Sequence, residues 1–193
     1  MTDKPAPAAH FVAPRPGGGS LAARLAEILR VDHAGELGAV AIYRGQRAVL
    51  GEARGQARVA GQLAEMEAQE ALHLARFEKL IAERRVRPTA LAPVWRLAGF
   101  ALGAGTALLG EKAVHACTEA VETVIERHYA GQIEELAALE PELAAELSKF
   151  RDEEVAHRDK AVEEGAREAP AHRLLSAVVG AGCRAAIKLS EKL

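Results

Sequence analysis

Apolar residues recur at intervals of three and four along most of this 193-residue chain, the spacing of one face of an α-helix. Between residues 56 and 84 the stripe is Leu63, Met66, Phe77 and Leu80 or Ile81; between 141 and 167 it is Leu147, Phe150 and Ala161. No segment of useful length alternates with period two, so no strand is expected. Proline is absent from 17–87, 94–140, 142–169 and 171–193, and these gaps frame six predicted helices. The first starts at an N-cap, Ser20, and runs to about Leu50. Gly51 and Gly55 bracket a turn into a second helix, about 56–84, which Pro88 and Pro93 close off. A third spans about 94–109 and a fourth about 111–138. Pro141 suits the first position of a fifth, about 141–167, and Pro170 divides that from a sixth, about 171–191.

Two amphipathic helices followed by an apolar one occur twice, which suggests a bundle with a crossover between repeated halves. The apolar members contain Leu97–Gly110 and Leu174–Cys183, both free of charge. Neither reaches the ~18–20 residues that cross a bilayer, though each is long enough to lie in a membrane interface. Residues 1–19 hold four of the eight prolines and Gly17–Gly19, with no apolar signal core; a disordered arm is expected there, with a single domain over 20–193.

Composition strengthens the helical reading. Alanine supplies 42 residues, aromatics only 7, and 23 of the 27 acids are Glu. The net charge of −2 gives no electrostatic case for a nucleic-acid partner. Two cysteines, Cys117 and Cys183, cannot build a disulfide framework and are expected as reduced thiols.

Most of the glutamates should be solvated helix surface. Two Glu-x-x-His motifs stand out: Glu70–His73 and Glu154–His157. Helical residues three apart are neighbours, so each pair can reach one metal ion, and oxygen-plus-imidazole ligation suits iron, manganese or zinc more than calcium. This composition gives about one such motif by chance, so position carries the argument. Glu70 and Glu154 lie in line with the apolar stripes of their helices, where an uncompensated carboxylate is very costly. Glu36 precedes Glu70 by 34 residues and sits among Ala34, Gly35, Leu37, Gly38, Ala39 and Val40, with Tyr43 two turns on. Its counterpart on the fourth helix is Glu122, 32 residues before Glu154, although Glu119 and Glu126 compete for the role. Each half then offers Glu … Glu-x-x-His, the inventory of a di-metal carboxylate bundle. Four carboxylates and two divalent ions balance in charge with both histidines neutral.

Longer motifs add a resemblance. Arg30-Val31-Asp32-His33-Ala34-Gly35-Glu36 is similar to the first-helix signature of the demethoxyubiquinone monooxygenase family, the di-iron hydroxylases of ubiquinone biosynthesis. Arg85–Thr89, Gly99–Gly110, Ala116–Thr118 and Phe150–Glu154 also resemble family text, and the likeness runs from about residue 22 to the C-terminus. It implies an all-α, ferritin-like four-helix bundle with two additional membrane-interacting helices. It implies that Glu36, Glu70, His73, Glu122, Glu154 and His157 hold two iron ions, with His128 and Tyr129 near the site. Asp32 or His33 is a candidate support for a ligand; His33, His115 and His172 are otherwise read as structural. Two positions depart from the family: Lys188 stands where some members carry a tyrosine, and Glu36-Leu37 replaces a Glu-Tyr pair.

The implied reaction uses O₂ to hydroxylate 2-polyprenyl-3-methyl-6-methoxy-1,4-benzoquinone, or its quinol, at C5, with NADH as reductant. This chain has no Gly-x-Gly-x-x-Gly motif for the nucleotide. An isoprenoid tail requires a membrane surface, so the expected location is peripheral, on the cytoplasmic face of the cell membrane. Arg87, Trp95 and Arg96 suit such an interface, and Gly99, Gly103, Gly105 and Gly110 would let backbone or tail approach closely. Other ubiquinone-biosynthesis proteins and a second copy of the chain are candidate partners. The rival reading is a ferritin-like iron store or peroxide scavenger, which shares the ligand set and lacks a use for the apolar helices.

Overall fold

The computed structural model describes residues 20–51 and 57–193; the expected N-terminal arm and Gly55 lie outside them. The described residues form six α-helices and no strand: α1 (Leu21–Leu50), α2 (Ala57–Glu83), α3 (Ala92–Leu108), α4 (Glu111–Leu136), α5 (Pro141–Glu163) and α6 (His172–Ser190). The Ser20 side chain caps α1 by accepting from the Ala23 N–H at 3.3 Å. Pro141 opens α5 as expected, while Pro93 sits inside the first turn of α3 instead of before it, where its missing N–H costs nothing.

Two glycines set boundaries. Gly110, at φ +102°, turns the chain from α3 into α4. Gly165, at φ +89°, ends α5 near Glu163, earlier than the predicted 167; a single 3-10 turn, Ala166–Glu168, follows.

Helices α1 and α2 pack together, as do α4 and α5, and the two pairs enclose one interior. Helix α3 lies on α1 and α6 on α4, so the repeat read from the sequence is also a repeat in space. The α1–α3 crossing is a backbone contact. A Cβ at Gly103 would lie 2.0 Å from the Ile42 carbonyl oxygen, one at Gly45 2.2 Å from that of Phe100, and one at Gly99 2.7 Å from that of Gly38. The start of α3 meets the end of α6, where the Trp95 indole donates to the Ser190 hydroxyl at 2.9 Å.

The apolar core is divided. One end joins Leu25, Ile28 and Leu29 to Phe77, Leu80, Leu136 and Leu147. The other joins Leu50, Val59, Leu63, Met66, Ala107 and Val114. Each fully buried aliphatic or aromatic side chain here contributes roughly 1.5–3 kcal/mol. Between the two clusters the four helices turn carboxylates inward.

Candidate metal centre

Glu36 on α1, Glu70 and His73 on α2, Glu122 on α4, and Glu154 and His157 on α5 are all at most 5 % exposed. Each acid occupies a core-facing position of its helix, so folding the apolar stripes inward carries the carboxylates with them. They form two overlapping groups: Glu36, Glu70, His73 and Glu154, and Glu70, Glu122, Glu154 and His157.

Glu70 and Glu154 belong to both groups, and the oxygens show why. Oε1 of Glu154 lies 3.1 Å from Nδ1 of His73, and its Oε2 lies 3.3 Å from Nδ1 of His157. Oε1 of Glu70 is 3.1 Å from His157 Nδ1, and its Oε2 is 3.8 Å from His73 Nδ1. Each shared carboxylate therefore turns one oxygen to each histidine. Glu36 and Glu122 sit at the two ends, one per group.

Tyrosines hold the end carboxylates crosswise. Tyr43 on α1 donates to Glu122 Oε1 at 3.2 Å, and Tyr129 on α4 donates to Glu36 Oε1. Each tyrosine lies seven residues after the glutamate of its own helix and serves that of the other. The outer nitrogens of the histidines are also held crosswise. His73 Nε2 donates to Glu153 on α5 at 2.5 Å, and His157 Nε2 donates to Gln69 on α2 at 2.6 Å. Both partners immediately precede the glutamate of a Glu-x-x-His motif. The centre thus has a pseudo-twofold relation between the two halves of the chain.

These residues fit a pair of cations. Oε2 of Glu36, Oε1 of Glu70, both oxygens of Glu154 and Nδ1 of both histidines are buried without a hydrogen-bond partner. Buried polar atoms are seldom left unpaired, and here the orphans converge on one interior. Burial, above all, raises the Glu36, Glu70 and Glu122 carboxyls above the usual carboxylate range, and Glu154 raises all three further. Burial alone would lower His73; Glu154 and Glu36 outweigh it and raise the imidazole to about 11. Burial also works against Glu154, yet His157 and His73 lower it. The protein thus gathers four carboxyl groups whose ionised forms two divalent cations would neutralise.

The remaining candidates separate cleanly. Glu119 and Glu126 face other partners: Glu119 takes Arg167 and His172 at 2.9 and 2.7 Å, and Glu126 takes Arg158. Tyr129 touches the centre through Glu36, whereas His128 is partly exposed and lies 3.4 Å from Asp32 Oδ1. Asp32 accepts from Gln132 at 2.7 Å and makes no bond to the six central residues. His115 is buried near Glu111 and Glu164, but Arg58 already bonds both acids. Cys117 and Cys183 are free thiols, and burial raises them to about 12 and about 11.

Sequence reasoning missed Gln69 and Glu153 as histidine partners and Tyr43 as the partner of Glu122. For the tyrosines the available signal was the shared seven-residue step. For Gln69 and Glu153, exposed positions on polar helix faces, only the motif-adjacent spacing pointed to them.

Ala39, Ile42, Tyr43, Thr118, Val121 and Glu122 line a narrow seam between α1 and α4 that leaves no room for a water molecule. Above it, Leu102 of α3 and Leu175, Val179 and Cys183 of α6 pack around Ile42 and Val121. The outer faces of those two helices carry large apolar side chains, Leu97 72 % exposed, Leu108 76 %, Leu174 66 % and Val178 61 %, beside the exposed Arg96, Arg173, Arg184 and Lys188. No helix of the described residues is long and apolar enough to cross a membrane.

The family model for "Ubiquinone biosynthesis protein COQ7" matches residues 23–190. The chain is 54 % identical over 178 residues to a 3-demethoxyubiquinol 3-hydroxylase of Rhodospirillum rubrum, covering 92 % of this chain and 82 % of that protein. It is 50 % identical over 170 residues to the human mitochondrial NADPH-dependent 3-demethoxyubiquinone 3-hydroxylase, covering 86 % and 76 %. With the mitochondrial 5-demethoxyubiquinone hydroxylase of Saccharomyces cerevisiae the identity is 40 % over 187 residues, covering 89 % and 79 %. A match spanning both Glu-x-x-His helices and both apolar helices places this chain in the COQ7 family of ubiquinone biosynthesis proteins.

Proposed function

We propose that this chain is a di-iron monooxygenase of ferritin-like architecture that hydroxylates 2-polyprenyl-3-methyl-6-methoxy-1,4-benzoquinone, or its quinol, at C5. The observation that carries the reading is the sharing of Glu70 and Glu154 between two buried ligand groups. Glu36, Glu70, His73 and Glu154 would hold one ion, and Glu70, Glu122, Glu154 and His157 the other. Bound iron would supply reduction of O₂, with one oxygen atom entering the ring and the other leaving as water.

The chain's own residues account for the rest. Tyr43 and Tyr129 fix the end carboxylates through their hydroxyls, and the apolar clusters at either end keep bulk water out of the interior. Ile42 and Val121 lie beneath α3 and α6 beside Glu122, so a quinone ring arriving from those helices would meet apolar side chains, and α1 and α4 would have to part to admit it. The exposed leucines of α3 and α6 would rest on the lipid that holds the isoprenoid tail, as a peripheral surface on the cytoplasmic face of the membrane. The exposed apolar side chains of α3 and α6 favour the hydroxylase over an iron store or peroxide scavenger, which has no need of them. The reductant is a nicotinamide, NADH on the sequence resemblance; several relatives carry NADPH in their names.

Expression in a strain that lacks its own hydroxylase tests the reading. The wild-type chain should clear the accumulated demethoxy quinone, measured by mass spectrometry. Glu154→Ala should retain its helices, lose its iron and leave the demethoxy quinone at the uncomplemented level. Unchanged quinone with altered cellular iron would favour the store, and full activity in Glu154→Ala would overturn the ligand assignment.

A further inference from the structure

The pseudo-twofold relation holds for the four carboxylates, the two histidines and the two tyrosines. It breaks at one pair. His73 Nε2 meets a carboxylate, Glu153, and His157 Nε2 meets a carboxamide, Gln69. Both contacts are short, both arrive from the residue preceding the glutamate of the opposite motif, and both leave Nδ1 facing the interior. An imidazole that binds a cation through Nδ1 must donate its Nε2–H outward. A carboxylate acceptor raises the electron density of the ring and its strength as a ligand. A neutral amide oxygen does so less.

We propose that the two metal positions are inequivalent: Glu153 makes the His73 position take a divalent ion first and more tightly, and Gln69 leaves the His157 position the weaker. Glu153 and Gln69 are positioning residues, acting through the histidines. The inference rests on the two-ion centre proposed above. The Glu153 side chain is 48 % exposed, so solvent screens part of its charge, and the effect belongs at the lower end of the 10–100-fold range typical of such outer partners.

The test titrates the metal-free full-length chain with Co²⁺, followed by calorimetry and visible absorption. The wild type should load in two steps whose affinities differ about 10-fold. Glu153→Gln keeps an acceptor oxygen opposite His73 and removes the charge. It should weaken the first step about 10-fold, shift the absorption of the first ion and merge the steps, with helical content unchanged. Gln69→Glu should merge them from the other side, by tightening the second. The double exchange should restore two steps. Two ions bound with equal affinity in the wild type, or a Glu153→Gln titration identical to it, would overturn the inequivalence and leave the two-ion centre standing. A wild type that binds no ion would overturn both.

Discussion

At the residue scale, position mattered more than residue type. Glu70 and Glu154 were legible in the sequence because each interrupts an apolar stripe at helical spacing, and both prove at most 1 % exposed. Glu122 was not legible from its own helix. Glu119, 8 % exposed, is also buried, and what distinguishes it is a pair of hydrogen-bonding partners, Arg167 and His172, arriving from beyond α5. Such compensation is a tertiary fact that one helix cannot announce. The same logic yields a pH prediction. The folded, metal-free chain keeps protons on Glu36, Glu70, Glu122 and His73 above the pH at which the unfolded chain releases them. A group raised on folding contributes stability that falls as pH rises. Glu154, lowered on folding, acts oppositely, but only below the ordinary glutamate value of 4.5. The metal-free protein should therefore lose stability as pH rises from the ordinary glutamate value of 4.5 towards about 11, the value His73 reaches on folding, while bound cations offset the charge of the ionised carboxylates. The Tm gained on adding divalent metal should widen over that range; a constant or shrinking gain would contradict the buried-carboxylate account.

Among the elements, proline gaps and caps set the helices to within a few residues, because proline and Ser20 act on the backbone locally. The miss at the end of α5 is a glycine effect: Gly165 takes a left-handed conformation that ends the helix, although the apolar pattern continues beyond it. The glycines of α3 were readable only as a licence for close approach, by backbone or by tail. The structure assigns Gly99 and Gly103 to backbone contact with α1 and leaves Gly105 with open space. Gly103→Ala should thus cost about 1–3 kcal/mol, since the Ile42 carbonyl opposite it cannot swing away as a side chain can. At this chain length each kcal/mol lowers Tm by about 2–4 °C. Gly105→Ala, in the same helix, should be neutral or slightly stabilising. Equal Tm values for the two variants would refute the close-packed α1–α3 crossing.

For the whole molecule, the internal repeat is the organising fact. It was visible as two amphipathic helices and an apolar one, twice over. What the sequence could not show is that the halves interlock: each tyrosine and each outer histidine partner serves the opposite half. Helices α3 and α6 then share one outer surface, tied where Trp95 meets Ser190. If that surface rests on lipid, the protein should float with liposomes, and Leu97→Glu together with Val178→Glu should leave it in the unbound fraction with its fold intact. Equal flotation of both proteins would place the apolar face in some other contact. The central claim, oxygen insertion into a quinone ring, is tested most directly by ¹⁸O₂. Iron-loaded protein, a short-tailed demethoxyubiquinol and a chemical reductant under ¹⁸O₂ should give a hydroxylated ring carrying one ¹⁸O atom by mass spectrometry. An unmodified quinol, or a product whose new oxygen comes from water, would contradict it.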